Sequence, residues 1–235
     1  MNGQATLAPA NWREILSARD RLTLTEQGFL CVRAATDERA LQAMRATWVR
    51  CLAESAEPVF AKTRGNNDGP SGLEKEPAFL RCLEHPYVMS AVAHVLDGDV
   101  VLGAFRGRDP RRGSGQQGFH VDDAKPVPPN RQCLANAFWL LDDMDESNGA
   151  TRIIPGSHRL GRIPPKGYQR RDARHPEALS INAGAGDVIV FSAHLWHAGS
   201  ENLSGAPRRI AMAHFARREL VESIAHAMNV RGRYE

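Results

Sequence analysis

The sequence predicts a mainly β domain: a double-stranded β-helix (a jelly-roll, cupin-like core) packed by N-terminal helices. Three observations point there. In the second half, GQQGFHVDD, CLANAFWLL, ATRIIPGSH, ALSIN, DVIVFSAHLW and RRIAMAHFARR are short apolar-rich segments divided by Gly, Pro, Asn and Asp, the texture of a sandwich or barrel of short strands. In the first half, apolar residues recur at helical spacing. The length, 235 residues with 42% hydrophobic and 24% charged residues, suits one large soluble domain. The expected organisation is a single domain over 1–235, helical over about 1–97 and jelly-roll over about 98–220.

The elements follow in order. NWREILSARD reads as a short helix; Gly28 ends a helical turn and FLCVR reads as a strand. Asp37 is a good N-cap for DERALQAMRATWVRCLAES, in which Leu41, Met44, Trp48 and Leu52 mark one apolar face. Residues 58–76, rich in Gly, Asn and charge, read as a long loop that either covers a site as a lid or simply connects. PAFLRCLEHPYVMSAVAHVL gives two short helices broken at Pro86, with His85 and His94 as capping or packing residues, and DVVLGAFRGR opens the β half. After Leu220 a short helix is expected, then disorder. There is no internal repeat.

Composition narrows the function. The net charge of +3 balances acidic against basic residues too closely to argue for nucleic acid. No apolar run is long enough to span a bilayer and no basic-then-apolar leader opens the chain, so no membrane association and a cytoplasmic location are expected. Cys31, Cys51, Cys82 and Cys133 are scattered without a CxxC, which fits stray or buried thiols and neither a disulfide framework nor a zinc site.

The chemistry is concentrated in GFHVDD. His120 and Asp122 form the only His-x-Asp of the chain, and on an extended strand residues two apart face the same side. Asp123 would face the other way. A third ligand is available in VIVFSAHLWHAG, where His194 and His197 compete. If that strand and RRIAMAHFA form a hairpin turning near Asn202 and Leu203, His197 lies opposite Arg208, Arg209 points away, and His194 has the wrong parity. His197 is therefore the expected ligand and His194 the alternative. Two histidines and a carboxylate on one face of a metal, with the opposite positions open, is the arrangement of non-haem Fe(II) oxygenases. A guanidinium nearby can bind a carboxylate through two parallel hydrogen bonds.

HVD at 120–122, NGATRIIPGSH at 148–158, GDVIVF at 186–191 and WHAGSENLSGAPRR at 196–209 together resemble the phytanoyl-CoA dioxygenase family of Fe(II)/2-oxoglutarate oxygenases. GFLCVR and EHPYV resemble its N-terminal part, so the resemblance spans nearly the whole chain. It implies Fe(II), 2-oxoglutarate and O2 as cofactors, with iron on His120, Asp122 and His197 and the distal carboxylate of 2-oxoglutarate on Arg208. Gln117 and Thr151 stand where relatives often contact the cosubstrate, Asn202 matches a frequent turn residue, and Phe138 stands where some relatives have Trp. Pro155 and Gly156 more simply shape a turn. Related halogenases have Gly or Ala at the carboxylate position, so Asp122 implies hydroxylation of an unactivated C–H with release of succinate and CO2. Two other classes compete: a metal-dependent jelly-roll enzyme that does not use 2-oxoglutarate, and a non-catalytic ligand-binding relative.

The expected substrate is a small molecule. RGRDPRR at 106–112 and Arg159, Arg162, Lys166, Arg170, Arg171 and Arg174 fall in segments read as loops at the mouth of the site. They either draw in an anionic substrate or are simply solvated.

Overall fold

The computed structural model describes residues 9–54, 69–122 and 132–218. The helices come first: α1 (Trp12–Ile15), α2 (Ala18–Gln27), α3 (Glu38–Glu54), α4 (Pro77–Leu80) and α5 (Pro86–Leu96). Their boundaries follow local chemistry. Gly28 closes α2 in the left-handed region at φ 82°, where a residue without a Cβ pays no steric penalty. Asp37 Oδ1 accepts the Ala40 amide at 2.8 Å at the start of α3, satisfying one of the donors a helix start leaves open. His85 caps α5 through Nδ1 and Pro86 occupies its first position.

The strands form two antiparallel sheets. The major sheet runs β1 (Phe29–Val32), β6 (Val188–Ser192), β3 (Leu134–Leu140), β8 (Ile210–Arg217), β2 (Val100–Arg108) in that order; the minor sheet runs β5 (Leu179–Ser180), β4 (Thr151–Ile153), β7 (His197–Gly199). β1 lies within the part expected to be helical, yet it supplies the edge strand of the major sheet through its pairing with β6.

Strand parity sorts the major sheet into two faces. Ala135, Ala137, Trp139, Val188, Val190, Ala211, Ala213 and Phe215 pack with Met44, Trp48, Phe79 and the apolar side of α5 in one cluster. This is where the helices cover the sheet. The alternate residues Phe138, Leu140, Ile189, Phe191, Ile210 and Met212 pack with Ile153, Met144 and Ile181 in a second cluster, the interior between the two sheets. The register shift between Leu102 and Ala104 in β2 places Ala104, Arg106 and Arg108 on the rungs of His214, Met212 and Ile210, that is, on the interior face. A bulge re-aims side chains in this way. RGR at 106–108 is therefore strand and not mouth loop.

Most of the predicted lid loop and the tail after Leu220 lie outside the described residues, as does Asp123. The described end of the 58–76 segment runs against β2, with Gly107 N donating to Pro70 O at 2.6 Å. Cys31, Cys51, Cys82 and Cys133 are all free thiols, and no helix among the described residues is long and apolar enough to cross a membrane.

Two predictions follow from the packing. A Cβ on Gly118 would sit 1.9 Å from Gln169 O, and Phe119 N already donates to Tyr168 O at 2.9 Å, so Gly118→Ala forces the 166–170 segment off the extended segment that carries His120. A fall in melting temperature and loss of metal binding are expected; wild-type values for both would contradict this packing. Burial also lowers the pKa of His85, His94 and His158 below the usual 6.5. Their neutral state favours the fold in full above the unfolded value of about 6.5. That contribution is lost as pH falls below it, because the unfolded chain takes up protons the native one refuses. Thermal melts of the metal-free protein should decline steadily from pH 7.5 to about 5.5, above the range where carboxylates titrate; a flat profile would contradict it.

Candidate metal centre

The site begins with backbone geometry. His120 N donates to His197 O and His197 N to His120 O, both at 3.0 Å, an isolated antiparallel bridge that continues the minor sheet beyond β7. Residues paired in this way face the same side, and the two imidazole centroids lie 4.3 Å apart. Asp122 N donates to Ala193 O at 2.9 Å, holding the carboxylate two residues along from His120. Ligand atoms of His120, Asp122 and His197 all lie within 4.8 Å of one another, a group able to hold a metal ion. His194 is not in the group; it lies near His158.

The predicted hairpin is corrected. His197 pairs with His120 on one side and Ile153 on the other, while β8 pairs with β2 and β3. Between His197 and Arg208 the chain crosses from the minor to the major sheet, so the two segments are not neighbours in one ladder. The crossing is held by Asn202: its Nδ2 donates to Pro110 O at 2.9 Å and Ala206 O at 2.8 Å, and its Oδ1 accepts from Gly205 N at 2.7 Å. Asn202 is thus a turn staple.

The imidazoles are presented in one tautomer. Nδ1 of His120 donates to Gly118 O at 3.0 Å and Nδ1 of His197 to Leu195 O at 2.8 Å. Each carbonyl only accepts, so each ring keeps its Nε2 lone pair for a ligand. Nε2 of His120 is 3.9 Å from Asp122 Oδ1, and Nε2 of His197 is 3.6 Å from Asp122 Oδ2. Burial, with His197 beside it, pushes the His120 pKa down to about 4, so the ring is neutral at pH 7, the form that binds metal. Burial pushes the Asp122 carboxyl up, but His197, His214, His120 and the Asn136 amide outweigh it and hold the pKa at about 2.

Arg208 stands just before β8. It is 1% exposed, its backbone N donates to Asp109 Oδ1 at 3.1 Å, and burial lowers its pKa to about 9. Its Nε and Nη2 have no hydrogen-bond partner. A buried guanidinium with two unmet donors costs free energy, and a bidentate carboxylate has the matching shape. Arg209 points away and binds Asp142 through Nε and Nη2 at 2.8 and 2.7 Å. Arg208 Nη1 and Thr151 Oγ1 lie 3.8 and 3.9 Å from the same atom, Met144 Sδ, so both reach one point of the interior. Thr151 is two residues from Ile153, the strand neighbour of His197. Gln117 Oε1 is engaged by Arg108 Nη1 at 2.9 Å and Gly199 N at 3.1 Å. Phe138 lies edge-on to Phe191, which in turn lies 5.1 Å from the His197 ring.

Some residues around the site are not singled out by the sequence pattern. Asn136 is a lone amide in the apolar strand β3, yet its Nδ2 donates to Asp122 Oδ2 at 2.6 Å. His214, directly opposite it on β8, and Arg106 on the edge strand β2 continue from there along the interior face. The available signal was parity: Asn136 and Phe138 alternate onto the interior face, where an uncharged polar residue needs a partner. Of the arginines assigned to a basic mouth, Arg159 is paired with Glu26 and Arg170 with Asp172.

The chain is also similar to known proteins in sequence and in fold. A family profile described as phytanoyl-CoA dioxygenase matches residues 24–210. An uncharacterised protein of Mycobacterium tuberculosis is 29% identical over 81% of this chain and 71% of its own. The iron/alpha-ketoglutarate-dependent dioxygenase ausU of Aspergillus calidoustus is 34% identical over 66% of this chain, about half (52%) of its own length. Among solved structures, HygX from Streptomyces hygroscopicus with nickel and 2-oxoglutarate bound superposes with a TM-score of 0.70 at 16% identity, over 86% of this chain and 88% of that one. The epimerase SnoN from nogalamycin biosynthesis gives 0.67 at 20% identity, over 89% and 84%. With the profile covering most of the sequence and the jelly-roll shared, the chain belongs to the phytanoyl-CoA dioxygenase family.

Proposed function

We propose that this protein hydroxylates an unactivated C–H bond of a small molecule, with Fe(II) held by His120, Asp122 and His197 and the distal carboxylate of 2-oxoglutarate held by Arg208. The class itself follows from the family: the chain is an iron- and 2-oxoglutarate-dependent dioxygenase. When bound, the metal and cosubstrate supply the oxidation of the C–H bond by O2, with 2-oxoglutarate leaving as succinate and CO2. The observation that carries the reading is the coexistence of two features in one interior: a cluster able to hold a metal and a buried guanidinium with two unmet donors.

The residues of the chain do the rest. His120 and His197 offer Nε2 because their Nδ1 protons are spent on carbonyls, and Asp122 is ionised at any physiological pH. Thr151 is the second candidate contact to the cosubstrate, since its hydroxyl reaches the same point as Arg208; Gln117 supports the site through Arg108 and Gly199. Phe138, Phe191, Ile189, Ile210 and Met212 are buried and keep water from the reacting centre. The presence of Asp122 as a third protein ligand favours hydroxylation over halogenation.

A small-molecule substrate is supported by neighbours of the same fold, HygX with hygromycin B bound and SnoN in complex with nogalamycin RO. Anionic character is supported by Arg108, which β2 turns onto the interior face on the rung of Ile210.

The reading is tested by turnover. Succinate should form in step with substrate oxidation in the intact protein and disappear in His120→Ala; succinate formation that survives this substitution would end the assignment. Arg208→Met should raise KM for 2-oxoglutarate by about 10- to 100-fold, since two hydrogen bonds to a charged group are lost. Arg208→Lys should fall between, because an ammonium keeps the charge without the fork. The same Arg208→Met protein, free of metal and cosubstrate, should melt no lower than the unsubstituted one, since a lone buried cation is replaced by an apolar chain. A lower melting point with unchanged KM would make Arg208 structural. Substrate KM should rise steeply with added NaCl if the substrate is anionic; a KM indifferent to salt would remove that part.

A further inference from the structure

We infer that Arg106, His214 and Asn136 form a one-way hydrogen-bond relay that positions Asp122, fixing the orientation in which its carboxylate meets the metal site. The inference rests on the metal-site reading above and goes beyond it in assigning three residues outside the ligand set.

The relay is continuous. Arg106 Nη2 lies 3.2 Å from His214 Nε2, His214 Nδ1 lies 2.7 Å from Asn136 Oδ1, and Asn136 Nδ2 lies 2.6 Å from Asp122 Oδ2. Its direction is set by its ends. An ionised carboxylate only accepts, so Asn136 must turn its NH2 toward Asp122 and its carbonyl toward His214. A guanidinium only donates, so His214 Nε2 must accept and Nδ1 must carry the proton. Both the amide orientation and the tautomer, which are ambiguous for an isolated Asn or His, are forced here, and every link agrees with its neighbours.

The sheet explains why these three residues meet. His214 and Asn136 are directly opposite on β8 and β3, and Arg106 joins them from the rung of Met212, one step along β2. It is the shift at Gly103 that brings Arg106 to this face. Asn136 is 1% exposed, so its amide has no solvent to fall back on and its bond to Asp122 is the more directional for it.

The consequence concerns the carboxylate. With Oδ2 held by the Asn136 amide, the carboxylate cannot turn freely, so the face it offers beside His120 and His197 is set before a cation arrives. Asn136, His214 and Arg106 are positioning residues, since each acts through Asp122.

The test is Co(II) binding to the metal-free full-length protein, read by equilibrium titration and by the visible absorption of bound Co(II). Asn136→Leu should weaken Co(II) binding by about 10- to 100-fold, as loss of a partner to a metal ligand does, and should change the Co(II) spectrum as the Asp122 carboxylate becomes free to turn. His214→Phe should act in the same direction with a smaller effect, and it carries the same expectation if Asn136→Leu does not fold. His214→Asn keeps a donor near the position of Nδ1 and should restore most of the affinity. The Asn136→Leu/His214→Phe pair should cost no more than Asn136→Leu alone, because the links are in series. Asn136→Leu and His214→Phe binding Co(II) within twofold of the unsubstituted protein, with unchanged spectra, would overturn the relay. His120→Ala separates the two levels: if it too keeps Co(II) affinity, the metal-site reading has failed; if it loses affinity while the relay variants do not, only the relay has.

Discussion

The reciprocal pair of backbone hydrogen bonds between His120 and His197 is the constraint on which the rest of the site depends. Neither residue lies in a long strand; each is held by the other's amide and carbonyl. Because paired residues share a face, the two rings converge without any side-chain adjustment, and Asp122 follows from the alternation of the same extended segment. The minor sheet is small, so its ability to hold this pair in place comes from outside it. Arg152 bonds Ala173 O and Gln117 O from the far side, with its guanidinium over Phe119, and Trp196 anchors to Ser157 and Arg162. The short strands are stapled from behind by the 162–178 segment.

A second principle orders the polar groups in the interior. Each is oriented by a neighbour that can only donate or only accept. His120 and His197 have Nδ1 fixed by carbonyls; the Asn136 amide is fixed by a carboxylate; His214 is fixed by a guanidinium and an amide oxygen. In a low-dielectric interior a reversed amide or the wrong tautomer would leave a donor facing a donor. The arrangement therefore has one consistent proton assignment, which is what a site needs if it is to accept a cation without rearranging.

Much of this was legible in the sequence, and the illegible part has a common cause. α3 was readable because Asp37, Leu41, Met44 and Trp48 make a local pattern: a cap followed by one apolar face. His120 and Asp122 were readable because strand alternation is also local. Sheet assignment was not. The segment from His197 to Arg208 has the parity of a hairpin, and nothing in its own residues says that its two halves enter different sheets; that depends on β3 and β4, which lie elsewhere in the chain. The inward turn of Arg106 depends on a bulge at Gly103, and one glycine in a strand does not announce which way the register slips. Asn136 and His214 look like isolated polar residues in apolar strands, and their meaning appears only when β3 and β8 are laid side by side.

Arg208 shows how far such a site departs from what stability alone would choose. Asp109 takes its backbone amide, but the buried side chain meets a methionine sulfur and no carboxylate hydrogen bond, while its neighbour Arg209 has a bidentate carboxylate of its own. Two consecutive arginines on opposite faces of one strand entry thus experience opposite electrostatics. One is neutralised by the protein; the other is desolvated and left with two donors unmet. Folding could have placed an aspartate opposite Arg208 as easily as Asp142 opposite Arg209. A protein carboxylate there would take up those donors; under the proposed reading, leaving them unmet keeps them for an incoming dicarboxylate.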